Sequence, residues 1–263
     1  MEDEELLEEY EMTDYEKAFM VMYYINEDDS VKMKKNIIDK ALKICPDYFM
    51  AYVELASITK DHYKEIELLR KAVEIARRIS TKSFDDITKY VEVMIISQYV
   101  EALKTLGEAY CEHGRFEEAI EIFEEAINVG PHDPLNIRYR LINLYCLENK
   151  DELASNLIEM FSFDDSTMMV FNKALVSFRM QRYDEAIDLL EEGHKRNRFV
   201  IGFLLDMSKI KINDIAPTFR PKTRKEAAAY CIQSFRSWYK TKGIMDTLLT
   251  MTNKRNVDSS FSN

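Results

Sequence analysis

Residues 100–133 read VEALKTLGEAYCEHGRFEEAIEIFEEAINVGPHD, and the spacing within this stretch decides the fold. Leu103, Leu106, Tyr110, Ala119, Phe123 and Ala126 fall at helical intervals on either side of Gly114, and Pro131 follows. A glycine between two helical patterns and a proline after the second punctuate two helix ends. The pattern also repeats. Residues 135–168 place Leu141, Tyr145, Ala154 and Ile158 at matching positions, and residues 167–198 do so with Ala174, Tyr183, Ala186 and Leu190. Self-similarity at a fixed period marks a stack of equivalent supersecondary units.

These residues resemble the tetratricopeptide repeat. Leu106, Gly107, Tyr110, Ala119, Phe123, Ala126 and Pro131 stand at that unit's spacings, and only its opening aromatic position, here Leu103, departs. The resemblance implies two antiparallel helices in contact along their length, with small Gly107 and Ala119 where the backbones approach and Tyr110 and Phe123 filling the space beside them. Weaker copies are expected upstream over residues 14–46 and 47–79, carried by Ala41, Leu42 and Pro46 and by Tyr52, Leu55, Ala56, Leu68, Leu69 and Ala72. In the third downstream copy Lys173 and Gly193 are off the consensus. Between the upstream and downstream copies lies an insertion over residues 80–98. Its Phe84, Ile87, Tyr90, Val91 and Met94 keep a helical period and predict a short extra helix or a helix extension.

The expected architecture is all-α: a right-handed α-α superhelix over residues 13–252 with a C-terminal helical cap at 199–252. Residues 1–12 are acidic and 253–263 lack periodicity, so both ends are expected to be disordered. Thr13 with Glu16 predicts a capping box opening the first helix near Asp14, and Thr223 with Glu226 predicts a second. Behind that second box, Ala227, Tyr230, Cys231, Ser234, Phe235 and Trp238 form the stripe of an amphipathic helix. It carries the chain's one Trp to close the last hydrophobic surface, with Gly243 ending the helix.

A narrower resemblance rests on Cys45-Pro46-Asp47 with Ala51-Tyr52-Val53, on Asn136-Ile137-Arg138-Tyr139, on Asn172-Lys173-Ala174, and on Glu226-Ala227 with Tyr230, Trp238 and Gly243. These stretches are similar to soluble relatives of the suppressor-of-tumorigenicity family of tetratricopeptide proteins. That family implies no established chemistry.

Composition narrows the function. With six Gly and five Pro in 263 residues, a sandwich, barrel or doubly wound sheet is disfavoured. The glycines are too widely spaced for either phosphate-binding glycine motif. Four cysteines form no CxxC pair and no signal peptide precedes them, so reduced thiols and a cytoplasmic location are expected. The longest apolar run, residues 19–25, is too short for a membrane span. His62, His113, His132 and His194 are scattered and HExxH is absent. Cys111 and His113, two apart on a helix, point to different faces, so neither a metal nor a cofactor is expected. Paired carboxylates such as Glu117 with Glu118, or Glu124 with Glu125, read as solvated helix faces. No nucleophile signature supports an enzyme.

Charge is uneven. Residues 1–194 carry 22 Lys and Arg against 42 Asp and Glu, whereas residues 195–255 carry 14 against 4. The basic segment either docks on its own acidic body or offers a surface to an acidic partner or nucleic acid. Lys195, Arg196, Arg198, Lys209, Lys211, Lys222, Arg224 and Lys225 would form that surface, but only Phe199, Phe203 and Phe219 could stack on bases, so nucleic acid is disfavoured.

The resemblance to tetratricopeptide proteins places the binding surface on the concave face, for a protein or peptide partner. Its lining would be Glu101, Lys104, Glu108 and Cys111 in one unit, then Asn136, Tyr139, Asn143 and Cys146, then Met168, Phe171, Leu175 and Phe178. This run from charged to apolar suits an extended or helical peptide of mixed character, unless the C-terminal helix covers Phe171, Leu175 and Phe178. Gripping of a chaperone C-terminus, a further tetratricopeptide activity, is disfavoured. Glu108 stands where such domains need Asn, and Met168 and Asn172 where they need Lys and Arg.

Overall fold

The computed structural model describes residues 11–81, 89–216 and 218–260, and among them the regular structure is helix throughout. They belong to two compact units, Met1–Leu135 and Asn136–Asn263.

In the first unit, α1 (Asp14–Met22) pairs with α2 (Val31–Ile44), α3 (Met50–Ser57) with α4 (His62–Ser80), and α5 (Lys89–Glu112) with α6 (Phe116–Val129). The capping box at the start of α1 is present as expected: Glu16 N donates to Thr13 Oγ1 at 3.2 Å and Thr13 N donates to Glu16 Oε2 at 2.8 Å. Asp61 caps α4 by accepting from the backbone of Tyr63 and Lys64. The second half of the insertion is an extension, since α5 begins at Lys89 and runs on through the quoted repeat. Val91 is buried there and Tyr90 is exposed, whereas Phe84 and Ile87 lie outside the described residues, as does the acidic stretch before residue 11.

Gly107 sits in α5 against the Phe123 ring of α6, where an added Cβ would meet Phe123 Cζ at 2.7 Å. The close approach expected of this position is therefore real, and Leu103, Leu106, Ala119 and Ala126 are buried around it. Polar ties cross the same unit. Tyr15 donates to Gln98 Oε1 at 2.7 Å, Arg70 Nε donates to Tyr110 Oη at 2.6 Å, and Arg77 and Tyr99 both donate to the Glu125 carboxylate.

The second unit contains α7 (Ile137–Leu147), α8 (Asp151–Met160), α9 (Thr167–Arg179), α10 (Tyr183–Arg196) and α11 (Phe199–Leu205). Two short 3-10 turns follow at Met207–Lys209 and Ile212–Asp214, then α12 (Arg224–Lys240) and α13 (Ile244–Ser260). The turns within α5–α6, α7–α8 and α9–α10 share one device: Gly114, Asn149 and Gln181 have φ of 71°, 56° and 61°. Each is a left-handed residue that reverses the chain between paired helices, and the three lie at the spacing of the sequence repeat. The off-consensus Gly193 also has a packing reason, because a Cβ there would meet the Phe171 ring at 2.9 Å.

Two local expectations are corrected. The box at Thr223 is only half formed. Glu226 N donates to Thr223 Oγ1 at 3.3 Å, but the Glu226 carboxylate accepts from Lys222 N and Asn197 Nδ2 instead of the cap backbone. The aperiodic stretch after residue 253 continues α13 as far as Ser260, since extending an existing helix costs far less than nucleating one. Gly243, at φ 87°, separates α12 from α13.

Candidate functional site

The expected lining divides sharply by accessibility. On α5, Glu101 is exposed and Lys104 and Glu108 are half-buried along one face, while Cys111 is buried. In the second unit Asn136 is exposed and Phe178 is half-buried, packed edge-on against Tyr183 with centroids 5.0 Å apart. The others are interior: Phe171 and Leu175 are 0% exposed, Asn143 3% and Tyr139 7%, and Cys146 and Met168 are buried with them. The open groove expected of Tyr139, Asn143, Phe171 and Leu175 is therefore closed, and α12 of the same chain covers Asn143 and Phe171.

The reason is the apolar stripe of α12. Tyr230 and Trp238 flank the Phe171 ring, with centroids 5.7 and 6.3 Å away. A buried polar network accompanies them. Trp238 Nε1 donates to Tyr230 Oη at 2.9 Å, Tyr230 donates to Asn172 Oδ1 at 3.1 Å, Asn143 Nδ2 donates to the same oxygen at 3.2 Å, and Ser237 donates to Asn143 Oδ1 at 3.2 Å. Buried polar atoms are costly unless paired, so this network favours one placement of α12 over alternatives. Tyr139 is anchored separately: it donates to Asp164 Oδ2 at 2.7 Å and receives Arg138 Nη2 at 2.8 Å, and burial pushes its pKa up to about 12. These residues hold the unit together and are not free to meet a partner.

The first unit carries a cavity of about 820 Å³, within the range of ligand and peptide pockets. One stripe of α4 forms its wall, from His62 through Ile66 and Arg70 to Glu74, and His113 and Arg115 close it from the turn after α5. Its three cations are already engaged, Lys71 over the Tyr52 ring at 4.3 Å. Arg70 reaches Tyr110, and Arg115 is paired with Glu118 at 2.7 Å and lies over the Tyr110 ring. The cavity combines apolar surface with charges of both signs. Sequence reasoning missed it, because residues on α4 and beyond α5 meet only through tertiary packing.

The basic segment builds a smaller cavity of about 390 Å³ in the second unit, lined by Arg198, Phe199, Phe203, Lys209, Lys211 and Arg224 among others. Phe199 and Phe203 stack with centroids 6.3 Å apart, and Arg224 lies over both rings. Much of the charge is paired locally: Arg224 with Asp214 at 2.7 Å, Lys209 with Asp206 at 3.8 Å, and Arg196 with Glu192 at 2.7 Å and Asp165 at 3.4 Å. Among the described residues no helix is long and apolar enough to cross a membrane.

A family model for the tetratricopeptide repeat matches residues 100–133, so the stretch quoted at the outset is such a repeat. No comparison supports the narrower resemblance to the suppressor-of-tumorigenicity family, and no curated protein matches the chain. Similar solved structures include YrrB, described as a TPR protein with an unusual peptide-binding site, at 12% identity and TM-score 0.47, covering 69% of this chain and 84% of that one. BtubC (BKLC) from P. vanneervenii is similar at 14% identity and TM-score 0.47, covering 96% and 94%. PilF of Pseudomonas aeruginosa is similar at 14% identity and TM-score 0.34, covering 69% and 91%.

Proposed function

We propose that this protein is a non-enzymatic scaffold that binds a peptide or a helical segment of a partner protein on its repeat face. One observation carries the reading: in the second unit the face built by α7 and α9 holds an amphipathic helix, α12, while on α5 the corresponding Glu101 is exposed and Lys104 and Glu108 are half-buried. The face that takes a helix in one unit thus has a counterpart in the other that carries charges of both signs to orient a partner. In the second unit, taken by itself, exposed Asn136 and half-buried Phe178 are the residues proposed to meet a partner. The four cysteines, none of them in a disulfide, fit a reducing compartment such as the cytoplasm.

A second reading is favoured by the cavity at Phe199 and Phe203, where cationic side chains surround stacked rings. There the chain would hold an acidic partner or nucleic acid through residues 195–225.

Affinity capture from native lysate separates the two, using wild type and the Glu101→Lys, Lys104→Glu double variant, each with and without nuclease. Protein partners that survive nuclease and are lost with the double variant are expected. Recovery that vanishes with nuclease and ignores the α5 changes would transfer the function to the basic segment. Such a complex would also weaken steeply as salt rises from about 50 to 200 mM.

A further inference from the structure

His62 and His113 lie 51 positions apart in the sequence and come together beside the large cavity of the first unit, with ring centroids 4.9 Å apart. His62 is the first residue of α4, and Glu65 follows it one turn later on the same helix face. His113 directly follows the last residue of α5. We propose that His62, Glu65 and His113 form a binding site for a divalent transition metal ion, zinc above all.

The geometry is close to what zinc requires. Tetrahedral zinc with bonds of about 2.0–2.1 Å holds its ligand atoms about 3.4 Å apart. His62 Nδ1 and Glu65 Oε2 stand at 3.5 Å, and one ligand atom from each of the three residues lies within 4.8 Å of the others. The remaining gap closes by small side-chain rotations, which are open to His62 at 73% side-chain exposure and to the exposed His113. The backbone beneath is firm: Asp61 caps α4, and the turn after α5 is pinned by His113 N to Ala109 O at 3.2 Å and Arg115 N to Tyr110 O at 2.8 Å.

The donor set selects the ion. Two imidazole nitrogens with one carboxylate oxygen suit zinc and its transition-metal neighbours, whereas calcium and magnesium need oxygen ligands throughout. The local charge is mixed: Arg70 donates to Tyr110, Lys71 lies over the Tyr52 ring and Arg115 is paired with Glu118, while Glu67 and Glu74 add carboxylates to the same wall. Both imidazoles line the cavity. The three protein ligands therefore leave the fourth position to water, or to a carboxylate or imidazole entering the cavity.

Calorimetric titration of the full chain with zinc chloride tests the site, comparing wild type with His62→Ala, His113→Ala and Glu65→Gln. His132→Ala and Cys45→Ser serve as controls for other zinc-binding groups. One equivalent is expected to bind wild type and both controls, with at least about a tenfold loss of affinity in His62→Ala and His113→Ala and a smaller loss in Glu65→Gln. Circular dichroism checks that each variant keeps its helicity, which the exposure of both imidazoles favours. Absence of zinc binding to wild type, or binding unchanged in both histidine variants, would overturn the proposal.

Discussion

Tyr230 donates its hydroxyl hydrogen to Asn172 Oδ1 at 3.1 Å, and both side chains are buried. This bond, with the Trp238 Nε1 donation to the same hydroxyl, joins α12 to α9 through atoms that cannot reach water. Removing one member leaves another unpaired. Tyr230→Phe is expected to cost about 1–3 kcal/mol, since it strands the Trp238 N–H. Trp238→Ala, which also opens a cavity, should cost about 3–5 kcal/mol. Urea denaturation of both variants measures the difference, and midpoints equal to wild type would show that α12 is not held by these contacts.

Phe171 and Glu101 occupy corresponding helices but opposite environments. Phe171→Glu places a charge in the closed space between Tyr230 and Trp238 and is expected to lose cooperative unfolding of the second unit. Glu101→Lys, on an exposed position, should shift stability by no more than about 0.5 kcal/mol. Thermal melts followed at 222 nm compare them directly.

The glycine and turn positions give a paired test of backbone and packing. Gly107→Ala drives a methyl group into the Phe123 ring and should destabilise by about 1–3 kcal/mol. Gly114→Ala meets no atom within 4 Å, yet its φ of 71° should still cost about 1–2 kcal/mol. Gln181→Gly at φ 61° is expected to stabilise by about 0.5–1 kcal/mol, because relief of the left-handed strain exceeds the entropy cost of glycine. Chemical denaturation reads all three, and a stabilised Gly107→Ala would refute the close helix approach.

Asp164 ties stability to pH. Burial works to raise its carboxyl, but hydrogen bonds from Tyr139, from the backbone and hydroxyl of Ser166, and from Arg138 outweigh burial and hold it below its ordinary value. A carboxyl depressed in the folded state stabilises above its unfolded pKa, and that contribution is lost as pH falls through the folded value. Stability is therefore expected to drop below about pH 4. Asp164→Asn should be less stable at neutral pH and show a shallower acid decline, as urea midpoints across that range would reveal.

The thiols should respond in order of burial. Burial raises Cys231 and pushes Cys146 up to about 12, so both are expected to stay unreactive toward a disulfide reagent at neutral pH. Half-buried Cys45 should react first, and all four should react once the chain is unfolded. Fast modification of Cys231 in the native protein would contradict the packing of α12.

Most of the helical framework was legible because its signals are local. Thr13 and Glu16 lie within one turn, Gly114 acts through its own φ, and Gly107 with Phe123 recurs as part of a spacing that can be counted along the chain. The helix extension through residues 89–98 was legible as one of two alternatives, and only the structure joined it to α5. The candidate surface was legible in part. Period and resemblance put Glu101, Lys104, Asn143 and Phe171 on corresponding faces, but a face carries no mark of what lies upon it.

What the sequence by itself determined is therefore most of the paired helices, the cap at Thr13 and the reversal at Gly114, all consequences of backbone preference and of apolar period within a few turns. The tertiary structure alone decided that α12 fills the face of α7 and α9, that Glu226 bonds to Asn197 and Lys222 rather than its own cap, and that His62 meets His113. Those relationships join residues separated by up to 94 positions, as between Asn143 and Ser237. They depend on how whole helices pack, and no local propensity encodes that approach.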